Sequence, residues 1–195
     1  MHKKAEMGMG TLIIFIAMIL VAAVAASVLI TTTGSLQNKA LDTGRSTTQE
    51  VGTSIQVIDI YGEDGTTNTS LDDFYTTLKL SAGSDPVRFT DVLLTLGLSD
   101  MTADYIYNGS IDCLNKSTFN TSSVGYGVRY SIAGSDNRTG YLTRGDVATV
   151  CFRAPRAIGE SSIFVMNIIP KVGSPRMIQT TTPDLILRSR EILFP

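Results

Sequence analysis

The sequence predicts an α+β protein: a long N-terminal hydrophobic α-helix followed by an antiparallel β-sandwich domain, immunoglobulin-like in the broad sense. Two observations support this prediction. No charged side chain occurs between Met7 and Asn38, and Leu12 to Ile30 is an almost unbroken apolar run. From Ser54 onward the chain is instead rich in Thr, Ser, Gly and Asp with scattered Ile, Val, Leu and Tyr, which is typical of β structure.

The apolar run is long enough to cross a bilayer, because nineteen helical residues span roughly 28 Å. Lys3 and Lys4 precede it, which places the N-terminus on the cytoplasmic side and the rest of the chain outside. Helix-compatible sequence continues past Ile30, so we expect one helix over residues 6–53. A helix with no polar face needs a membrane or other copies of itself.

Residues 54–195 carry the pattern of a β domain. Apolar and polar residues alternate in 78–81 and 128–132, and the apolar stretches 147–152 and 163–169 predict strands that are buried on both faces or nearly so. Turn signals containing Gly, Pro, Asp and Asn separate these segments. Short strands without a second long helix predict the antiparallel sandwich.

The charge and the residue types exclude several functions. A net charge of −2 offers no basic surface for nucleic acid, and the only histidine is His2. We therefore predict no metal site built on histidine, no cofactor and no enzyme, since no spacing singles out a nucleophile or base. Two acidic pairs, Glu63-Asp64 and Asp72-Asp73, fall in expected loops. They could bind a divalent cation, but we favour solvated loop charges.

Sequons and cysteines indicate an extracellular domain. Five Asn-x-Ser/Thr sequons follow the helix, at Asn68, Asn108, Asn115, Asn120 and Asn137. Three of them fall within residues 108–120, which predicts a surface segment that carries N-glycans. The two cysteines, Cys113 and Cys151, suit an oxidising exterior. They either form a disulfide, which we favour, or stay as two buried thiols.

Both ends of the chain resemble archaeal flagellins, the archaellins. At the N-terminus the resemblance runs through residues 3–26 (KKAEMGMGTLIIFIAMILVAAVAA) and continues in Ser27-Val28-Leu29-Ile30. Towards the C-terminus it lies in residues 144–147, 155–159, 168–175, 181–183 and 192–195. The middle, about 62–140, is the variable part that bears most of the sequons.

The resemblance implies a leader of residues 1–5 that a prepilin-type signal peptidase removes between Ala5 and Glu6. The family usually has Gly at the last leader position, where this chain has Ala5. Type IV pilins have Glu at the fifth mature position, where this chain has Gly10, and this difference favours an archaellin.

The implied function is that of a structural subunit of the archaeal flagellum, or archaellum. Such a subunit is inserted transiently in the membrane, assembles with identical subunits into an extracellular filament, and is rotated for swimming by the archaellum motor in the membrane. The β domain forms the outer part of the fibre. Two alternatives stay open: an archaeal adhesion pilin, and a membrane-anchored extracellular binding domain.

Small and bulky side chains of the helix are the candidates for assembly contacts. Ala22 with Ala26, and Ala23 with Ser27, are small pairs four residues apart that let helix backbones approach closely. Gly8 and Gly10 keep the terminus slim, and Leu12 and Phe15 add bulk.

The N-terminal run also fits two simpler interpretations. In a secretory signal peptide, Ala23-Val24-Ala25 would direct cleavage before Ala26, although apolar residues continue beyond that cut. A permanent anchor would keep Met1.

Overall fold

A computed structural model describes residues 2–64, 69–119 and 124–194, with side chains from Gly8 onward. The chain divides into two compact units, residues 1–47 and residues 48–195. Asn68 and Asn120, two of the predicted glycosylation sites, lie outside the described residues.

The first unit is formed by one helix, α1, which spans His2–Gly52, so that its last residues, 48–52, are counted in the second unit. By length and composition α1 could cross a membrane, and all of its side chains from Gly8 onward are exposed. The hydroxyls of Thr31 and Thr32 donate to the carbonyl oxygens of Ser27 and Val28, both at 2.9 Å. Because the backbone satisfies these hydroxyls, the threonines do not interrupt the helix.

The second unit is a β domain. Its strands, in the residues that the structure describes, are β1 (Ile55–Glu63), β2 (Leu71–Leu80), β3 (Val87–Arg88), β4 (Val92–Leu98), β5 (Thr102–Tyr107), β6 (Gly125–Ile132), β7 (Tyr141–Leu142), β8 (Val147–Ile158), β9 (Ile163–Pro170), β10 (Arg176–Thr181) and β11 (Arg190–Phe194). Two single 3₁₀ turns, Phe89–Asp91 and Lys116–Thr118, complete the regular structure.

Nine strands form one sheet in the order β10-β9-β4-β5-β6-β8-β2-β1-β11, and β3 pairs with β7. Every neighbouring pair is antiparallel except β5 and β6, which run parallel. The predicted fold class, a long helix followed by a mostly antiparallel β domain, is confirmed. The immunoglobulin-like detail stays a prediction.

The sheet folds over its own core. Phe74 of β2 packs edge-on against Phe164 of β9 with ring centroids 5.4 Å apart, although four strands separate β2 from β9 in the sheet order. The rings of Tyr105 in β5 and Phe152 in β8 also pack together, with centroids 4.8 Å apart, across the single intervening strand β6. The Thr180 hydroxyl donates to the Leu193 carbonyl at 2.7 Å, which links the two edge strands β10 and β11. The sheet therefore forms two facing layers that share one core.

One strand differs from the sequence prediction. In β9 only alternate side chains are buried: Phe164, Met166 and Ile168 face the core, whereas Ile163 and Ile169 are exposed. The prediction that residues 163–169 are buried on both faces was therefore wrong. The strand covers the core with one face. Because residues on its exposed face are also apolar, its sequence resembles that of a strand buried on both faces.

Candidate functional site

The predicted assembly residues lie on the exposed surface of α1. Ala22, Ala23, Ala26 and Ser27 occupy an arc of about 140° on that helix, because successive residues are rotated by about 100°. This arc exposes backbone that a second helix can approach closely. Leu12 and Phe15 lie about two to three turns nearer the N-terminus on the same side of the helix, and they are 58% and 64% exposed.

Gly8 and Gly10 make no close packing contact with the part of the chain that the structure describes. Apart from the adjacent turns of the helix itself, a Cβ atom built on either residue would meet no described atom within 4 Å. The backbone of Ala5 and Glu6, the predicted cleavage site, also lies in α1, and their side chains lie outside the described part of the chain.

Two of the predicted glycosylation sites present a free amide nitrogen. The Asn115 Oδ1 accepts hydrogen bonds from the Ser117 N–H at 3.1 Å and from the Ser117 hydroxyl at 2.7 Å. The Asn108 Oδ1 accepts from the Ser110 N–H at 3.0 Å. In both sequons the carbonyl oxygen makes the local turn, and within the described residues the amide nitrogen makes no hydrogen bond.

Asn137 differs because its amide nitrogen is engaged. It donates to the Oδ1 of Asp146 at 3.0 Å, and Asp146 is 1% exposed. The same carboxylate accepts from the Gly134 N–H and from the hydroxyl and N–H of Thr143. Burial by itself would raise the pKa of Asp146, but these hydrogen bonds outweigh burial and lower it. Asp146 therefore holds its loop as a carboxylate.

Cys113 and Cys151 are joined by a disulfide, with Cα atoms 5.5 Å apart. Cys151 lies in β8, and Cys113 lies in the segment 111–119, which crosses the neighbouring strand β6 at Gly127. A Cβ atom on Gly127 would come within 2.5 Å of the Ile111 carbonyl oxygen and 3.0 Å of the Cys151 Sγ. Only glycine at position 127 leaves room for this segment.

The acidic pairs were predicted to lie in loops, and this was wrong for Glu63, Asp72 and Asp73. Asp72 lies in β2 beside Asp73. Glu63 ends β1 and Asp73 lies in β2, and both are paired with cations. Arg153 of β8 binds the buried Asp73 carboxylate through two hydrogen bonds, Nε to Oδ1 at 2.7 Å and Nη2 to Oδ2 at 3.1 Å. Lys116 and Arg190 contact Glu63 at 2.9 Å and 2.6 Å. These acids stabilise the domain as ion pairs.

The contacts of Glu63 with Lys116 and Arg190 also determine the direction in which its pKa is shifted. Burial alone would raise its pKa, but hydrogen bonds from Lys116 and Arg190 outweigh burial and lower it. Within the described residues, no group of three or more His, Cys, Asp or Glu side chains could hold a metal ion.

Replacing Asp73 by Asn should destabilise the β domain by about 3 kcal/mol, because Arg153 would lose the charge that compensates its partial burial. We place the cost at the low end of the range for buried pairs, since the Arg153 side chain keeps 24% of its surface exposed. Chemical unfolding of the full chain in an uncharged detergent measures this difference.

Asp100→Asn is the matched control for that substitution. It removes an Asp–Arg pair of the same length, 2.7 Å to Arg156, whose side chains are 57% and 43% exposed. Such a surface pair should leave the unfolding midpoint unchanged. Equal effects of the two substitutions would contradict the assigned role of Asp73.

Sequence reasoning missed a further group of side chains on the same face of the sheet. Tyr61, Tyr75, Arg129 and Arg190 surround a cleft together with Lys116. These residues come from five separate segments, so no local spacing could have indicated them.

The chain has clear relatives. The family model described as archaeal-type flagellin matches residues 5–180. Flagellin B1 of Methanocaldococcus jannaschii is 34% identical over 206 residues, covering 93% of this chain and 91% of the relative. Flagellin B4 of Pyrococcus abyssi is 35% identical over 212 residues, covering 94% and 95%. Among solved structures, the archaeal flagellum of Methanospirillum hungatei aligns with a TM-score of 0.70 at 17% identity, covering 96% of this chain and 99% of that one, which shows a shared fold. The resemblance found in both ends of the sequence is confirmed, and this chain belongs to the archaeal-type flagellin family.

Proposed function

We propose that this chain is a structural subunit of the archaellum filament, which polymerises through α1 and is rotated to drive swimming. One observation carries the proposal. Between Leu12 and Ile30 the helix α1 is apolar around its whole circumference, and all the described side chains of α1 are exposed. Such a surface is stable only in lipid or against other helices. Flagellin relatives match more than nine-tenths of the chain. They support the second of these environments, in which the other helices belong to identical subunits.

The helix has two successive environments in this proposal. In the membrane its backbone hydrogen bonds are internal and its side chains contact lipid. Transfer into a bundle of identical helices gives little hydrophobic gain, so close packing decides the stability of the bundle. Ala22, Ala23, Ala26 and Ser27 permit such packing, with Leu12 and Phe15 as interlocking bulk. Outside the cell, release from the bundle would expose the apolar run to water, which makes the fibre durable.

Assembly requires removal of the leader. We propose that a prepilin-type signal peptidase cuts between Ala5 and Glu6, and that the archaellum motor complex then takes up the subunit. The family match begins at Ala5, at this proposed boundary. Mass spectrometry of subunits from purified filaments should give Glu6 as the first residue. A mature chain that starts at Ala26 would indicate a secretory signal peptide, and one that starts at Met1 a permanent anchor. Either result would contradict the proposal.

The outer domain, residues 54–195, is proposed to carry N-glycans. Asn108 and Asn115 should be modified to a high occupancy, because their amide nitrogens make no hydrogen bond in the described structure. Asn137 should be modified to a lower occupancy, because its nitrogen donates to the buried Asp146. Glycopeptide mass spectrometry of native filaments measures the three occupancies. The reverse order would contradict this ranking, and unmodified peptides at every sequon would contradict glycosylation.

An adhesion pilin would use the same kind of assembly helix, so motility must separate the two functions. Deletion of the gene should abolish swimming and leave surface attachment intact. Retained swimming would favour the pilin. A membrane-anchored binding domain would instead be found as a monomer in the membrane. We assign this chain a structural role without catalysis, in keeping with the flagellin family.

A further inference from the structure

The strands β11, β1, β2, β8 and β6 turn one face away from the core, and this outer face contains a cleft of about 280 Å³. Tyr61 and Tyr75 form its floor as a stacked pair, with ring centroids 4.9 Å apart and planes 10° apart. Arg190 covers Tyr61 with its guanidinium 4.6 Å from the ring centre. Lys116 and Arg129 line the remaining sides. The volume lies just below that of common ligand pockets, so the cleft suits one sugar-sized ring.

The cleft carries an excess of positive charge. Three cations line it, Lys116, Arg129 and Arg190, and the one lining carboxylate, Glu63, is shared between Lys116 and Arg190. The buried Asp73 carboxylate lies 4.0 Å from Lys116 but is held by Arg153 at 2.7 Å. Arg129 makes no ion pair with any residue that the structure describes. Its guanidinium is thus available to an incoming anion.

Hydroxyl groups provide the second half of the site. Tyr75 lines the cleft with a side chain that is 5% exposed, and its hydroxyl makes no hydrogen bond with the described residues. Burial raises the pKa of Tyr75 and of Tyr61, so both phenols stay protonated and can donate. Ser131 and Thr149, whose hydroxyls lie 2.9 Å apart, also line the cleft. The Tyr75 hydroxyl opens onto solvent in the cleft, so an acceptor on a ligand can replace the water that would otherwise bind it.

We propose that this cleft binds a sugar residue that carries a carboxylate, a uronic acid unit. The carboxylate binds Arg129, and the ring hydroxyls bind Tyr75, Ser131 and Thr149. Leu114, which is 72% exposed, provides an apolar wall for the ring.

The sugar has two possible sources. The first is the glycan of this same chain at Asn115, since Asn115 stands between two residues that line the cleft, Leu114 and Lys116. The second is a polysaccharide outside the filament. The first source rests on the proposed glycosylation, which glycopeptide mass spectrometry tests separately.

The binding test uses the full chain produced without glycosylation in an uncharged detergent, with glucuronic acid as the probe and calorimetry as the readout. We expect saturable binding of glucuronate, with glucose and acetate each binding at least about tenfold more weakly. Arg129→Gln and Tyr75→Phe should each lower the affinity for glucuronate by about tenfold. Arg176→Gln, which removes an exposed arginine of β10 outside the cleft, should leave it unchanged.

Four results would overturn the proposal: no binding, equal binding of acetate, equal binding of glucose, or an equal effect of Arg176→Gln. Equal acetate would mean a bare anion site, and equal glucose would mean that the cations play no part. Because Tyr75→Phe removes one oxygen and Arg129 makes no internal ion pair, both variants should fold. Their unfolding midpoints are measured alongside.

Native filaments distinguish the two sources. If the Asn115 glycan occupies the cleft, native filaments should bind added glucuronate only after Ser117→Ala has removed the sequon. That substitution keeps the Asn115 side chain and the hydrogen bond from the backbone N–H at position 117. If native filaments with a glycan at Asn115 already bind glucuronate, the sugar comes from outside. Filaments that bind glucuronate in neither form would overturn the proposal for the assembled protein.

Discussion

Ala23→Asp is expected to abolish filament formation. Ala23 lies in the centre of the segment from Met7 to Asn38, which has no charged side chain. An aspartate there costs roughly 2.5–3.5 kcal/mol when the helix enters the membrane. In a fibre core the same carboxylate would be buried between apolar helices without a counter-charge. Its free energy there is much higher than in water, so assembly is opposed. Electron microscopy of material sheared from cells that express only the variant should find no filaments.

Ala23→Ser is the matched control. A serine has nearly the same size, and Ser27 already stands four residues further along the same side of the helix. Its hydroxyl can donate to the carbonyl one turn earlier, as the Thr31 hydroxyl does to Ser27 at 2.9 Å. Filaments should therefore form with Ala23→Ser. Filaments of normal length and number from Ala23→Asp would contradict the assignment of this helix surface to the fibre core.

The helix and the fold class could be predicted because their signals are local. The charge-free run from Met7 to Asn38 predicts a helix both in a membrane and against other helices. The hydroxyl-rich, alternating pattern after Ser54 predicts strands. The family could be recognised because its signals lie at the two ends of the chain, in contiguous motifs. Such information does not depend on how distant segments meet.

The charged outer face could not be predicted, because its contacts join distant segments. Asp73 and Arg153 are 80 residues apart, and Glu63 and Arg190 are 127 residues apart. Their meeting depends on the register in which β2 pairs with β8 and β1 with β11. A shift of one residue would turn every side chain of a strand to the other face. The sequence showed Glu63 and Asp73 only as acids beside other acids, which is why they were placed in loops.

The parallel pairing of β5 with β6 was missed for a related reason. Its register joins only two residue pairs, Ile106 with Gly125 and Tyr107 with Tyr126. The connecting residues 108–124 contain Cys113, whose disulfide partner lies in β8. A long crossover can join parallel strands where a tight hairpin cannot. Here that crossover is the segment that carries the three clustered sequons, Asn108, Asn115 and Asn120.

Removing the disulfide should be the most destabilising change in the β domain. Cys113 and Cys151 close a loop with a sequence separation of 38. In the chain-entropy model, a cross-link over that length stabilises the folded state by about 4 kcal/mol. We expect the double substitution Cys113→Ala and Cys151→Ala to lower the unfolding midpoint of the full chain by roughly 10 °C. Calorimetry in an uncharged detergent measures the shift.

Reductant provides the control for this prediction. Treatment of the natural chain with dithiothreitol should lower its midpoint to that of the double variant, and the variant itself should not respond. If the variant unfolds at the same temperature as the natural chain, the cross-link does not hold the domain.

The segment around Cys113 should also become more mobile in the variant, because Ile111, Cys113 and Phe119 pack with Tyr75 and Cys151 in a small cluster separate from the main core. Faster hydrogen exchange at residues 111–119, with unchanged exchange in β4 and β9, would place the effect of the disulfide in this segment. Since Lys116 also reaches Glu63 from that segment, the disulfide holds in position both the sequon at Asn115 and the cation at the edge of the cleft.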